Sequence, residues 1–298
     1  MWLGLAGLSA VLLGCYEVCK KISLRGNAVL PILYFNTCMG GLVLLPLLWL
    51  SKKGHFSEDA LLYVAPLRVE EHGAVALKSV LVLASWWTGY SAVKHLPLTL
   101  TGPIKASQPV ITVMGAVVIL GENLNVMQWA GVGLAFLSFY LLSATGKKEG
   151  VSFGRNGYIW LMLISIVTGA LSGLYDRYLL LSIPPFSLQV WFTVYQAVLL
   201  TPVYLFFHIK GKTWKGSITW RWQLPLVSIL LLSADYFYFV ALSDSEALIS
   251  VISMMRRSNV VITFLFGAYY FHERNLRAKS IDLFLILLAM IILYFGSL

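Results

Sequence analysis

The chain has 298 residues, of which 59% are apolar and only 12% charged, and its mean hydropathy is +0.80. A soluble globular domain carries about 25% charged residues, so these figures exclude an ordinary soluble domain and imply a lipid-bilayer environment. The formal charge of +9 does not point to a nucleic-acid partner, because the Lys and Arg residues are interleaved with apolar runs instead of forming one soluble face.

A helix of about 20 apolar residues crosses ~30 Å of hydrocarbon. Runs of that kind fill the chain and predict ten transmembrane helices, over 2–20, 28–50, 74–94, 97–120, 125–145, 157–180, 186–208, 222–242, 246–271 and 279–298. The expected fold class is an all-α polytopic membrane protein. The loops left over, near 51–73, 144–156 and 209–221, are too short for a soluble domain.

The first run starts at Met1 with no basic region before it and ends at Lys20, Lys21 and Arg25 with no small-residue cleavage site, which predicts a retained helix and not a signal peptide. Within it, Glu17 has Lys20 and Lys21 at i+3 and i+4, the spacing of a local ion pair near the membrane boundary. Cys15, Cys19 and Cys38 sit inside apolar runs and imply neither a disulfide nor a metal site. The third run offers Trp86, Trp87 and Tyr90 as cavity walls, with Thr88 as a further contact.

The fourth run carries Lys105 near its middle. Thr101, Lys105, Gln108 and Thr112 follow at i, i+4, i+7 and i+11 and share one helix face. Pro103 and Pro109 interrupt the helix around Lys105 and suggest a hinge. In the sixth run Gly169 and Gly173 form a GxxxG packing surface, and Asp176 with Arg177 reads as a boundary pair. Trp214, Trp220 and Trp222 beside Arg221 mark an interfacial belt.

The eighth run contains Asp235, Tyr236 and Tyr238, and the ninth contains Arg256, Arg257, Asn259 and Thr263. A charge at the centre of a span costs about 2.5–3.5 kcal/mol on insertion scales. Lys105, Asp235, Arg256 and Arg257 therefore need an interior, paired or wet position and are the best pointers to a site. Asp282, near the start of the tenth run, reads as a boundary residue.

Displacing the chain by 151 residues lays Ser107-Gln-Pro-Val-Ile-Thr112 on Ser258-Asn-Val-Val-Ile-Thr263 and Glu122 on Glu273. With a slightly different displacement Thr37, Leu44 and Pro46 fall on Thr193, Leu200 and Pro202. The chain thus reads as a duplication, residues 1–146 and 147–298. Five spans per half is an odd number, so the halves enter the membrane in opposite senses, as two inverted five-helix repeats. The duplication makes Lys105 and Arg256 equivalent, facing one central cavity.

The run from Pro109-Val-Ile-Thr to Gly121-Glu122, its degenerate copy ending at His272-Glu273, and the 5+5 layout resemble the drug/metabolite transporter superfamily, and within it the ten-helix EamA-type transporters. The copy departs from the pattern at Val260 and His272, where the first half has Pro109 and Gly121. The resemblance implies a carrier of small metabolites with cytoplasmic termini. The excess of Lys and Arg in the loops opposite the termini implies the reverse orientation. Phosphorylated-sugar exchangers of the superfamily are similar in having a Lys on the fourth span and a basic pair on the ninth, which here are Lys105, Arg256 and Arg257. Four-helix exporters of the superfamily carry a proton-exchanging acid on the first helix. For Glu17 that proton-coupling role stands as the alternative to the local pair, which its spacing favours.

The sequence therefore predicts a secondary transporter working by alternating access in the plasma (inner) membrane. Its solute is expected to be a small organic anion with a carboxylate or phosphate, held by Lys105, Arg256, Arg257, Gln108, Asn259, Thr112, Thr263, Asp235, Tyr236, Tyr238, Tyr90 and Thr88. The alternative is an exporter of amino acids or other zwitterions, with Asp235 holding the ammonium group. The partners are the solute and the bilayer, in a monomer or a homodimer. No GxxxxGK[ST] phosphate loop occurs, and neither cofactor nor metal is expected. The five histidines stand in loops or at span ends, which argues against an intramembrane enzyme.

Overall fold

The computed structural model describes residues 2–57, 60, 62–108, 110–111, 124–148, 151, 153–209, 219–244, 252, 255–273 and 275–296. Ten helices are formed among them: α1 (Trp2–Leu24), α2 (Val29–Lys52), α3 (Val69–His95), α4 (Leu98–Ala106), α5 (Val126–Lys148), α6 (Gly157–Leu180), α7 (Pro185–Ile209), α8 (Gln223–Ser243), α9 (Asn259–Tyr269) and α10 (Leu276–Gly296). The described chain is all-α. Seven helices, α1, α2, α5, α6, α7, α8 and α10, are long and apolar enough to cross a membrane. α3 is as long as these but dilutes its apolar run with Glu70, Glu71, Lys78 and Lys94. α4 and α9 are the described parts of the fourth and ninth expected spans; Pro109, Thr112, Gly121 and Glu122 lie outside the described residues.

Local chemistry sets several helix ends. α3 starts five residues before its apolar run, where the Glu71 carboxylate accepts the Arg68 backbone N–H at 2.8 Å and the Arg68 guanidinium at 2.8 Å and so satisfies the N-terminal donor. The Asn156 side chain accepts the Tyr158 N–H at 2.9 Å and starts α6. Pro46 and Pro202, which the expected duplication lays on each other, both lie inside helices that continue through them, α2 and α7. His272 adopts a left-handed backbone, φ 50°. This is a conformation that favours glycine, and the first copy of the motif has Gly121 at that position.

Helices pack in definite partnerships. α1 runs along α8, α3 along α6, α5 along α10, α2 against α7 and α4 against α9. Lys21, at the end of α1, donates to the Val93 and Leu96 carbonyls at the end of α3. His95, also at the end of α3, stacks on Tyr158 at the start of α6, with ring centroids 3.9 Å apart. α1 and α3 therefore finish on the face of the bundle where α6 begins.

Large apolar side chains such as Leu42, Trp49, Phe136 and Phe284 are exposed on the outside. Polar groups sit inside, where they must find partners within the protein. Ser85 and Ser165 make the α3–α6 contact by donating to each other's backbone carbonyl, each at 2.7 Å. The neighbouring Gly89 is required for that approach, since a Cβ there would fall 2.7 Å from Ser165 Oγ.

Candidate functional site

The interior helices enclose a cavity of about 430 Å³, a size that suits a small metabolite. α3 supplies Lys78, Val82, Ser85, Trp86, Gly89 and Tyr90, a stripe at i, i+4, i+7, i+8, i+11 and i+12 that keeps one helix face on the cavity. α8 supplies Leu231, Asp235, Tyr238 and Phe239 by the same spacing. Tyr16, Glu17 and Lys20 come from α1, Ser165, Gly169, Ser172, Gly173 and Asp176 from α6, and Lys105 and Gln108 from α4 and the residues after it. Arg256, Arg257 and Asn259 complete the wall.

Three carboxylates hold four of the charged groups in four ion pairs. Glu17 Oε1 accepts Lys20 Nζ at 2.6 Å and Lys105 Nζ at 2.7 Å. Asp235 accepts the Arg256 guanidinium, whose carbon also lies 4.1 Å from the Tyr238 ring centroid. Asp176 accepts Lys78, whose ammonium faces the rings of Phe192 and Phe239 at 4.6 and 5.1 Å. Among the described residues Arg257 has neither a hydrogen-bond nor an ion-pair partner. The described lining thus carries five cations, Lys20, Lys78, Lys105, Arg256 and Arg257, against three carboxylates, Glu17, Asp176 and Asp235.

Several expected partnerships are corrected here. Glu17 pairs with Lys20 as its spacing implied, yet its second cation is Lys105 and not Lys21, which is spent on the end of α3. It is also buried instead of standing at a membrane boundary. Asp176 pairs with Lys78 across two helices and is no boundary residue; the Arg177 side chain lies outside the described residues. Asp282 is likewise buried, against α5, where Ser138 donates to its backbone carbonyl at 2.9 Å.

Of the residues expected to touch solute, Lys105, Gln108, Asp235, Tyr238, Tyr90, Arg256, Arg257 and Asn259 line the cavity. Thr88, Tyr236 and Thr263 do not. The Thr88 hydroxyl is turned onto the Ala84 and Ser85 carbonyls of its own helix, Thr263 donates to Val260 O at 2.9 Å, and Tyr236 packs edge-on against Phe186. Thr112 lies outside the described residues.

Sequence reasoning missed Lys78, Asp176 and Lys20 as cavity groups. The available signal was a Lys inside the third apolar run with an Asp inside the sixth, but the duplication does not repeat Lys78 and so did not single it out. It also missed the role of Glu273, whose carboxylate accepts the Leu98 and Thr99 backbone N–H groups at 2.7 and 2.9 Å and the Thr99 hydroxyl. A carboxylate there satisfies the first free donors of α4 and sits favourably at the positive end of the helix dipole.

Residues 1–144 match the model of the EamA-like transporter family. The first half of the chain is EamA-like. That family is one of membrane transporters of small solutes and not of enzymes, and it agrees with the superfamily resemblance carried by the sequence motifs. The match over residues 1–144 and the seven helices long and apolar enough to cross a membrane together support an integral, multi-pass membrane protein. No curated protein matches it. A solved structure described only as a crystal structure of a protein is similar in fold, with a TM-score of 0.63 at 16% identity over 97% of this chain and 95% of that one.

Proposed function

We propose that the protein is a secondary carrier of a small organic anion, bound in the central cavity between Lys105 and the Arg256–Arg257 pair. The observation that carries this reading is Arg257, a guanidinium on the cavity wall without a carboxylate partner among the described residues, on the same cavity as Lys105, which shares the Glu17 carboxylate with Lys20. A buried cation is costly unless compensated, and a carboxylate or phosphate on the solute supplies the compensation. Arg presents a planar fork for either group, and Gln108 and Asn259 offer neutral donors to orient it. A zwitterionic solute fits less well, because the carboxylate needed for its ammonium, Asp235, is already engaged by Arg256.

Alternating access follows from two inverted repeats, residues 1–146 and 147–298. The helix partnerships support that layout. Exchanging each helix with the one five places on turns the α1–α8 contact into α6–α3, and carries α2–α7, α4–α9 and α5–α10 onto themselves. Such a bundle has two related arrangements, facing opposite sides of the membrane, between which the halves rock. The plasma (inner) membrane is the proposed location.

The test is binding and counterflow in proteoliposomes with inorganic phosphate, succinate, glycerol 3-phosphate, alanine and glucose as probes. An anion is expected to be taken up, and Lys105→Gln, Arg256→Gln or Arg257→Gln should each lower its uptake at least tenfold while the protein stays monodisperse. Uptake of alanine or glucose alone, or full activity in all three variants, removes the anion reading.

A further inference from the structure

Glu17 holds two ammonium groups on a single oxygen, Lys20 at 2.6 Å and Lys105 at 2.7 Å. The two amines are placed differently. Lys20 is on the same helix three residues on, its side chain is 3% exposed, and its ammonium is backed by the rings of Tyr16 and Tyr90 at 4.5 and 4.9 Å. Those two tyrosines are themselves tied together, Tyr16 donating to Tyr90 at 3.1 Å. Lys20 therefore moves only with Glu17. Lys105 comes from α4, a helix that packs against α9 and α10, and its side chain is 20% exposed to the cavity.

We infer that Glu17 and Lys20 form a permanent pair, and that Lys105 is an exchangeable cation which Glu17 gives up to the anionic group of the solute and reclaims on its release, with no proton taken up by Glu17. The inference rests on the anionic-solute reading above and adds how Glu17 stays compensated when the solute takes Lys105 and what is not co-transported. One carboxylate facing two ammonium groups leaves one positive charge in excess, and an anion on Lys105 removes that excess. When Lys105 turns to the solute, Glu17 still has Lys20. A buried carboxylate left with no cation would have to bind a proton instead.

The other groups around Glu17 agree. Tyr16 on α1 and Tyr90 on α3 lie beside it, Arg257 acts on it electrostatically from two residues before α9, and Asp235 on α8 acts on Tyr16 but is held by Arg256. Arg257 adds positive charge that also favours the ionised carboxylate. Lys20 is on this account a positioning residue, which keeps Glu17 charged while its neighbour works.

The test reads the protonation of Glu17 directly and needs no solute. Lys105→Met imitates the state in which Lys105 has been taken away. Infrared difference spectra near neutral pH are expected to show no new protonated-carboxyl band for Lys105→Met alone. The band should appear for Lys20→Met/Lys105→Met, and it should vanish again when Glu17→Gln is added. A protonated Glu17 in Lys105→Met alone would overturn the inference, because release of Lys105 would then bring a proton with it. An ionised Glu17 in the double variant would overturn it too, because Lys20 would not be the group that matters. Gln in place of Met at both positions serves if the Met variants do not fold. Should the spectra behave as expected while neither inorganic phosphate nor succinate binds the wild-type protein, the anionic-solute reading fails and the Glu17–Lys20 pairing stands.

Discussion

Lys78 and Asp176, 98 positions apart, are joined in a buried ion pair that ties α3 to α6 on the cavity wall. Removing one member leaves the other charge bare in a site with little access to water, whereas removing both leaves an apolar gap that neighbours can tolerate. Lys78→Met and Asp176→Leu should each lower stability by about 3–5 kcal/mol. Lys78→Met/Asp176→Leu should recover most of that loss. Thermal or denaturant unfolding of the detergent-solubilised protein measures all three, and single variants as stable as the wild type would show that the pair does not hold the two helices.

Glu273 ties the turn before α10 to the first residues of α4. Glu273→Gln keeps the shape but loses the charge and one acceptor, and Glu273→Ala loses the cap altogether. Loss of a helix N-cap costs roughly 0.5–2 kcal/mol, so Ala should fall in that range and Gln should cost less. Because α4 carries Lys105, uptake of the anionic probe should fall more than stability does. Equal stability and uptake in both variants would reduce Glu273 to a surface turn residue.

Gly102 lets α4 approach α9. A Cβ there would stand 2.7 Å from Val260 Cγ2 and 3.1 Å from Thr263 Oγ1. Gly102→Ala should therefore destabilise by about 1–3 kcal/mol, the usual cost of overpacking. Val260→Ala should relieve the Gly102→Ala variant when the two are combined, as measured by unfolding midpoint. Non-additivity of that pair is the diagnostic, and strictly additive costs would place the clash elsewhere.

The start of α3 should be acid-sensitive. Hydrogen bonds from the Arg68 guanidinium and backbone hold the Glu71 carboxyl below the usual carboxylate range. A depressed carboxyl contributes stability above its ordinary titration range and loses it as pH falls through the lowered value. The first turn of α3 should accordingly fray only at strongly acidic pH, whereas in Arg68→Ala fraying should begin at higher pH. Hydrogen exchange of the amides of residues 69–72 reports it. The pair is exposed, so global stability should scarcely change.

The sequence by itself determined that this chain is a membrane bundle. Apolar runs of about 20 residues demand helices, because only a helix satisfies its backbone within a single segment without water, and that demand holds whatever packs against what. It also marked Lys105, Asp235, Arg256 and Arg257, since a charge inside an apolar run must find compensation in the interior. What it could not supply was who compensates whom. The i+3 and i+4 spacing offered Glu17 two lysines equally, and only the packing of α1 against α3 sent Lys21 to the backbone and left Lys20 to share Glu17 with Lys105. Asp176 had a basic neighbour next in sequence, yet its cation, Lys78, came from α3. Partnership among buried charges is a matter of distance through the bundle, and distance between helices is written only in the tertiary structure.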